Sequence, residues 1–297
     1  MIFRVLDIET VVDESVWTRG KPRYDVVPEI RRHHHDDPTL DTSEEVLVAR
    51  EAEVFPPPHA WRVVAISCVD LGFDVARESR YWLDGCWTDC RWDGDAQEAL
   101  LLAAFAHAME TTKDVHLVTW NGRTFDLPVL AMRSLKHKIA APWYYKNRDV
   151  RYRYSTEGHF DLMDFLGDYG ATRSMRLGDV ARLCGLPGKT DTTGADVAEL
   201  YAMAKADPSK SDELRERVAR YCQQDTLQTA LVHLRALHLR GKISPETHDA
   251  VLETFRASRQ VAAAIDLPWD RLWMCESRQR ELPGIVVPEA AHRGEPT

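Results

Sequence analysis

The chain lacks the features that mark membrane or secreted proteins. No apolar run reaches the roughly 18 residues that a membrane-spanning helix needs. The first residues form a strand-like pattern, without the charged start and apolar stretch of a signal peptide. The cysteines are few and scattered, and they make neither a disulfide framework nor a paired Cys-x-x-Cys zinc pattern. We therefore expect no membrane span, free thiols and a cytoplasmic location.

The chain also has fewer positively than negatively charged residues. The chain has 38 Lys and Arg against 47 Asp and Glu, a formal net charge of −9. This balance argues against a protein that coats nucleic acid through bulk positive charge. It is compatible with an enzyme whose acidic residues bind metal and whose basic residues are gathered in one patch. The hydrophobic content of 44% is ordinary for a protein with a substantial core.

Apolar periodicity predicts an α/β layered domain. Strands are expected at residues 2–8, 61–70, 78–83 and 115–120, and helices at residues 95–112 and 125–135. From about residue 160 the pattern is mainly helical, and the segment 211–240 is its longest helix. Ser244 followed by Pro245 marks a further helix start, with the serine as cap.

Residues 11–60 fit this pattern poorly. They hold mixed charges, the run His33-His34-His35 and three consecutive prolines, with a short helix expected only at residues 44–54. We interpret the segment as a loop or lid inserted between two strands. Neighbouring histidines in an extended chain point in different directions, so the run indicates a solvated loop rather than a metal site.

Two acidic residues interrupt the first strand. Asp7 and Glu9 stand two positions apart, so their side chains project from the same face. Two like charges at the end of a core strand are costly unless a cation neutralises them. Mg²⁺ or Mn²⁺, which prefer oxygen ligands, would do so. The alternative is that the strand ends at Asp7 and both acids face water.

Two later stretches add candidate residues. Residues 119–128 join a core strand to a helix, where ligands collect in α/β sheets, and there Asp126 either faces the cleft or caps the helix. In the long helix, Tyr221 and Asp225 share one side, as part of a site or as a surface pair. Two-metal phosphodiester hydrolysis needs carboxylates that converge on ions about 4 Å apart and a group that orients the attacking water. These stretches and the first strand supply both.

Taken in order, three stretches resemble the exonuclease motifs of the DEDDy class: Asp7-Ile8-Glu9, residues 121–126 and residues 221–225. In particular, they resemble predicted 3′–5′ exonucleases related to the proofreading domain of family B DNA polymerases. The resemblance covers residues 1–240 and includes Phe160-Asp161-Leu162. It implies a ribonuclease H-like fold over residues 1–240, with a mixed central sheet flanked by helices and a helical C-terminal part. Residues 241–297 would add a C-terminal helix and an extended tail.

The resemblance also implies roles for individual residues. Two Mg²⁺ or Mn²⁺ ions would be held by four carboxylates, those of Asp7, Glu9, Asp126 and Asp225. Asp7 would bridge both ions, and Tyr221 would position the nucleophilic water. Asn121 would hydrogen-bond the terminal nucleotide or support the turn. Phe125 would pack against the terminal sugar or base, or serve as a structural anchor.

Basic and aromatic residues gather in residues 133–154, where seven Lys and Arg accompany a single acid. Basic groups for phosphates and aromatic faces for stacking are typical of a channel for single-stranded nucleic acid. The stretch 151–154 alternates Arg and Tyr like a strand, which would place arginines and tyrosines on opposite faces. We expect four residues of this segment to bind substrate, namely Arg148, Arg151, Tyr152 and Arg153. The alternative is a solvated edge hairpin with its tyrosines packed on the domain.

These inferences favour a metal-dependent 3′–5′ exonuclease that removes nucleotides from single-stranded or frayed ends, with DNA favoured over RNA. The alternatives are a ribonuclease H-like endonuclease and a non-catalytic nucleic-acid-binding module of the same fold. The pairing of Tyr221 with Asp225 and the turn that ends at Asp126 favour the exonuclease. The presence of all four acids argues against the binding module.

Overall fold

A computed structural model describes residues 1–17, 24–32, 43–51, 55–74, 80–187 and 194–272. The histidine run and most of the predicted tail lie outside these ranges. Within them, the helices are too short or too polar to reach across a lipid bilayer.

The described strands form one five-stranded sheet and one two-stranded sheet. They are β1 (Ile2–Val12), β2 (Tyr24–Arg32), β3 (Ser43–Glu51), β4 (Trp61–Asp74), β5 (Arg80–Cys90), β6 (Val115–Thr119) and β7 (His159–Asp161). The larger sheet has the order β5-β4-β1-β6-β7. Its β4 runs antiparallel to β1 and β5, whereas β6 runs parallel to β1 and β7. The predicted mixed central sheet is therefore confirmed.

Helices cover both faces of this sheet. They are α1 (Asp95–Thr111), α2 (Asp126–His137), α3 (Pro142–Tyr145), α4 (Arg148–Arg151), α5 (Leu162–Leu166), α6 (Leu177–Leu183), α7 (Gly194–Ala206), α8 (Ser211–Leu239), α9 (Pro245–Ala257), α10 (Arg259–Ala264) and α11 (Trp269–Leu272). Leu6 and Ile8 of β1 pack with Leu101 of α1 and Leu130 of α2. Val5 belongs instead to the core formed with the apolar residues of α8. Strand alternation thus assigns the odd-numbered residues of β1 to the α8 side.

The predicted α1, α2, α8 and the helix starting after Ser244 are present with ends that differ by at most two residues. The Ser244 hydroxyl accepts a hydrogen bond from the Thr247 backbone at 3.2 Å, so the serine is the cap that the sequence predicts. The third predicted strand is longer than expected, because β5 continues to Cys90 along β4.

Three local predictions are wrong. Residues 44–51 belong to strand β3 rather than to a helix, because they pair antiparallel with β2 and gain its backbone hydrogen bonds. Strand β7 ends at Asp161, where the mainly helical part is expected to begin, because three residues are too few to give a periodic pattern. Residues 151–154 are not a strand: α4 ends at Arg151 and a turn follows.

The described residues beyond 240 pack on the sheet. Val251, Leu252 and Phe255 of α9 are buried in the same core as Val5 of β1. The Thr254 hydroxyl accepts a hydrogen bond from the backbone of Leu83 in β5 at 2.8 Å. A domain boundary at residue 240 stays a prediction.

Candidate active site

The first two acids lie on the α8 side of β1. Asp7 stands opposite Ser67 and Glu9 opposite Ala65 in the ladder with β4, and the register shifts just after Glu9. Glu9 is buried and Asp7 is half-buried. One ligand atom each from Asp7, Glu9 and Cys222 lie within 4.8 Å of one another. The acids therefore do not simply face water, and α8 comes close to both.

Helix α8 brings Tyr221 and Asp225 to these acids. Both side chains are buried, and a side-chain hydrogen bond joins them. Burial, followed by the charges of Asp225, Glu9 and Asp7, raises the pKa of Tyr221 far above its ordinary value. Tyr221 is thus a neutral phenol among carboxylates, and the interpretation as an exposed surface pair is wrong.

Cys222 is a neighbour that sequence reasoning missed. Its Sγ lies 3.5 Å from the Asp7 carbonyl oxygen and 3.7 Å from Asp7 Oδ2. Burial, followed by the charges of Asp7 and Glu9, raises the pKa of the thiol well above its ordinary value. The neutral thiol therefore donates to Asp7. Its position three residues before Asp225 on the same helix is the signal that could have identified it.

Asp126 approaches the same strand from α2. It is the first residue of that helix, and the cap position is held by Phe125, which makes no side-chain cap bond. The Asp126 carboxylate accepts a hydrogen bond from the backbone N–H of Ile8, which lies between Asp7 and Glu9. Burial and the nearby charge of Asp161 raise the pKa of Asp126 to about 7. The capping alternative for Asp126 is therefore wrong.

The turn before Asp126 is held by Asp161 at the end of β7. Asp161 Oδ1 accepts from the backbone of Asn121 at 3.0 Å, and Oδ2 accepts from the backbone of Arg123 at 2.9 Å. Asn121 has a left-handed φ of 64°, and its Oδ1 accepts from the Thr124 hydroxyl at 2.5 Å. The Asn121 side chain thus supports the turn. The resemblance read from the sequence includes Asp161 but implies no role for it.

Glycine is required at the centre of this turn. A Cβ at Gly122 would lie 2.5 Å from the side chain of Thr119, so no larger residue fits without movement. The Thr119 hydroxyl accepts from the Gly122 backbone at 3.1 Å and lies 2.8 Å from Nε2 of the buried His159. This packing connects the end of β6 to β7 directly beneath the turn.

Phe125 anchors the start of α2 among aromatic residues. Its ring centroid lies 5.7 Å from that of Trp61 and 6.0 Å from that of Phe55. Phe125 is half-buried and packs against the core between the sheet and α1 and α2. The geometry supports the anchor role proposed for it.

In the basic segment, helix α4 contacts the edge strand β7, and Val150 of α4 is buried in the core with α1 and α2. Arg148 stacks on Tyr152 at 5.6 Å, and Arg151 stacks on Tyr145 at 5.6 Å. Arg153 donates to Asp164 Oδ1 at 2.9 Å. The predicted separation of arginines from tyrosines is therefore wrong, because the short helix and the turn bring them into contact.

Arg123 connects this segment to the acids. Its Nη1 donates to the Val150 carbonyl of α4 at 3.4 Å, and its Nε lies 3.5 Å from Asp164 Oδ2. Its backbone N–H is one of the two turn groups bound by Asp161, whose charge acts on Asp126. One network of contacts thus runs from Asp126 to the basic segment.

Residues 53–265 match a family described as predicted 3′–5′ exonuclease related to the exonuclease domain of PolB. The chain belongs to this exonuclease family. Asp126, Tyr221 and Asp225 lie inside the matched range, whereas Asp7 and Glu9 precede it. Together with the mixed five-stranded sheet, membership confirms the predicted ribonuclease H-like fold.

The exonuclease-family chain also resembles solved structures. It matches the family B DNA polymerase from the archaeon Pyrobaculum calidifontis with 17% identity and a TM-score of 0.41, covering 77% of this chain and 33% of that one. It matches E. coli Exonuclease I in complex with a dA16 oligonucleotide with 14% identity and a TM-score of 0.33, covering 73% and 42%. The chain thus spans less than half the length of these structures. No curated protein matches it.

Proposed function

We propose that this member of the exonuclease family is a metal-dependent 3′–5′ exonuclease acting on single-stranded or frayed ends. The observation that carries the proposal is that acidic side chains and a tyrosine from distant parts of the chain converge at one place. Strand β1 and helix α8 bring Asp7, Glu9, Tyr221 and Asp225 together, and Asp126 binds the backbone between the first two acids. The family's relation to PolB favours DNA over RNA as substrate.

The donor set fits hard divalent cations. Oxygens of Asp7 and Glu9 lie close enough together to share an ion. The neighbouring Cys222 thiol is kept protonated by burial, so the available ligands are carboxylates, which suit Mg²⁺ or Mn²⁺. Four acids would hold two ions, namely Asp7, Glu9, Asp126 and Asp225, with Asp7 shared. Such ions, when bound, supply Lewis acidity and lower the pKa of a bound water.

Tyr221 would orient the attacking water. A neutral phenol can donate one hydrogen bond and accept others. Because its pKa is strongly raised, Tyr221 keeps its proton, and its bond to Asp225 fixes the direction of the hydroxyl. The remaining acceptor capacity can hold a water in line with the terminal phosphodiester.

The basic segment would hold the strand. Arg148 and Arg151 are exposed and stacked on tyrosines, which offers phosphates a cation and bases an aromatic face. Tyr152 is 48% exposed and would stack on a base. Arg153, tied to Asp164, would act closer to the turn. A contact from Asn121 to the terminal nucleotide would use its amide nitrogen, because Oδ1 already accepts a hydrogen bond from Thr124.

The test uses single-stranded oligonucleotides labelled at the 5′ end, as DNA and as RNA, with Mg²⁺ or Mn²⁺. We expect a ladder that shortens nucleotide by nucleotide, faster on DNA, and no cleavage in EDTA or with Asp7→Ala. Asp212→Ala is the matched control, because Asp212 is an exposed acid on α8, and it should retain full activity. Cuts within the strand would favour the endonuclease.

Metal binding gives a second measurement that does not depend on cleavage. Ions that bind only the folded state raise the melting temperature. We expect Mg²⁺ or Mn²⁺ to stabilise the wild type and Asp212→Ala but to have much less effect on Asp7→Ala. A wild type that binds oligonucleotide but leaves it uncut under every condition would favour the binding module.

The described cysteines support the cytoplasm as the proposed location. Cys68, Cys86, Cys90, Cys184 and Cys222 are all free thiols. Burial is the main cause that raises the pKa of Cys86 to about 11 and that of Cys90 to about 12. Unpaired, protonated thiols fit a reducing compartment.

A further inference from the structure

Phe55, Trp61 and Phe125 form an aromatic platform. The ring centroid of Phe55 lies 5.1 Å from that of Trp61 and 6.0 Å from that of Phe125. The Trp61 indole donates to the Pro56 carbonyl at 2.8 Å, which fixes the indole beside the chain that carries Phe55. Phe55 is nevertheless 71% exposed, whereas the two rings beneath it are half-buried. A held ring thus presents an aromatic surface to solvent.

The platform lies at the same end of β1 as the acids. It packs on the face covered by α1 and by α2, the helix that starts with Asp126, whereas Asp7 and Glu9 project from the α8 face. Phe125 directly precedes Asp126, and Trp61 stands opposite Val12 in the β1–β4 ladder. Val12 is four residues beyond Ile8, the residue whose backbone binds the Asp126 carboxylate. At 3.3 Å per residue the separation along β1 is about 13 Å. A nucleic-acid strand whose end lies at the acids can therefore reach the platform with a nucleotide near that end.

The chemistry of the platform suits a nucleobase. Bases stack on aromatic side chains regardless of sequence, because each base has a π face. A ring already held by two others loses little conformational freedom when a base stacks on it. The platform is also separate from the arginine–tyrosine segment. In the order of the sheet, β4, which begins at Trp61, lies on one side of β1, and β7, which α4 contacts, lies on the other.

We infer that the platform is a stacking subsite for an unpaired base near the 3′ end of the bound strand, with Phe55 as the contact residue. The inference rests on the proposed exonuclease function and adds a specificity-determining site to it. The strand would be held on both sides of the acids, by Phe55 on one side and by the basic segment on the other.

The test compares oligonucleotides that carry an abasic residue at each 3′-terminal position in turn. Binding is measured by fluorescence anisotropy in EDTA, and cleavage with Mg²⁺. For the wild type, we expect the abasic residue to weaken binding and raise KM at one of these positions. Phe55→Ala should weaken binding of the intact strand by roughly 5- to 150-fold and abolish the penalty at that position.

Three further variants separate stacking from other effects. Phe55→Trp should restore both the affinity and the abasic penalty, whereas Phe55→Leu should restore neither, because it is apolar without a π face. Leu135→Ala is the matched control, since Leu135 is 72% exposed near the end of α2, and it should behave as the wild type.

Several results would overturn the subsite. One is a dependence of binding on abasic position that Phe55→Ala leaves unchanged. Another is a Phe55→Leu variant with the affinity and the abasic penalty of the wild type. The third is a dimer of the protein that dissociates when Phe55 is mutated. If the wild type cleaves no oligonucleotide, the exonuclease proposal fails. The abasic series in EDTA still tests the subsite in that case, so the two failures are distinguishable.

Discussion

Two groups of buried acids lie on or beside β1, and they are balanced in different ways. One is an ion-pair cluster formed by Asp13, Glu98 and Arg133. Arg133 Nη2 lies 2.6 Å from Glu98 Oε2 and 2.8 Å from Asp13 Oδ2, and all three side chains are at most 2% exposed. Burial opposes the charge of Asp13, but hydrogen bonds from Ser15, Lys136 and Arg133 lower its pKa below the ordinary range.

The other group is the candidate active site. There, burial and neighbouring carboxylates raise pKa values instead of lowering them. Burial and Asp161 raise the pKa of Asp126 to about 7. Burial and the charges of Asp7 and Glu9 also raise the pKa values of Tyr221 and Cys222. A divalent cation bound here would reduce the repulsion among these closely spaced negative charges.

Under the proposed function, one acid cluster serves the fold and the other serves a ligand. In the ion-pair cluster, Glu98 of α1 also accepts from the backbone of Val63 in β4 at 2.9 Å. Arg133 of α2 donates hydrogen bonds to Glu98 of α1 and to Asp13, which lies just beyond β1, so it connects α2 to both. Because α2 begins with Asp126, the ion-pair cluster positions the helix that carries an acid of the candidate active site.

The largest expected difference is in stability. Arg133→Met keeps aliphatic volume but leaves two buried carboxylates without their guanidinium, so we expect the free energy of unfolding to fall by about 3–5 kcal/mol. Asp7→Ala should leave it unchanged or higher in EDTA, because repulsion among the acids is relieved. Urea unfolding measures both. Arg215→Met, which removes an exposed ion pair, should cost less than about 1 kcal/mol. Equal losses for Arg133→Met and Asp7→Ala would end the distinction between the two groups.

A smaller effect separates catalysis from metal binding within the site. Tyr221→Phe removes the hydroxyl that would orient water while keeping the ring, so we expect cleavage to slow by about 10²-fold. The rise in melting temperature with Mg²⁺ should persist, since the carboxylates are unchanged. Tyr201→Phe on α7 is the control. Unchanged turnover in Tyr221→Phe would remove this residue from the mechanism.

The smallest expected effect is on how stability depends on pH, because His159 and Asp13 lose their contributions over different pH ranges. Burial and Arg123 lower the pKa of His159, beneath the active-site turn, from 6.5 to about 3. The unfolded chain takes up this proton first, so stability is lost as pH falls from 6.5 towards 3. The lowered pKa of Asp13 gives stability that is lost only below about pH 4.

Melting curves against pH in EDTA test these ranges. His159→Gln should reduce the loss of stability between pH 6.5 and 4, and Asp13→Asn should reduce the loss below pH 4. A His159→Gln variant that keeps the full slope above pH 4 would show that this histidine does not contribute. His233 and His248, whose pKa values burial lowers to about 3 and about 4, add to the slope in that range, and Asp126, whose pKa burial raises to about 7, contributes a slope of opposite sign.

Elements with strong local periodicity could be predicted from the sequence. Residues 95–112 are expected as a helix, and α1 covers Asp95–Thr111. Strand β7 has three residues, and its place in the sheet depends on β6 beside it. Strand β3 is extended because β2 pairs with it. Neither partner can be identified from a local pattern, since pairing joins distant parts of the chain.

The sequence by itself determined which functional side chains share a face. Asp7 and Glu9 project together because strands alternate, and Tyr221 and Asp225 project together because helices repeat every 3.6 residues. Only the tertiary structure decided that Asp126 binds Ile8, that Asp161 holds the turn at Asn121, and that Arg133 pairs with Asp13. Backbone geometry fixes the first kind of relation over a few residues. The second joins residues 40 to 120 positions apart, and it exists only once β6 lies beside β1 and α2 packs across them.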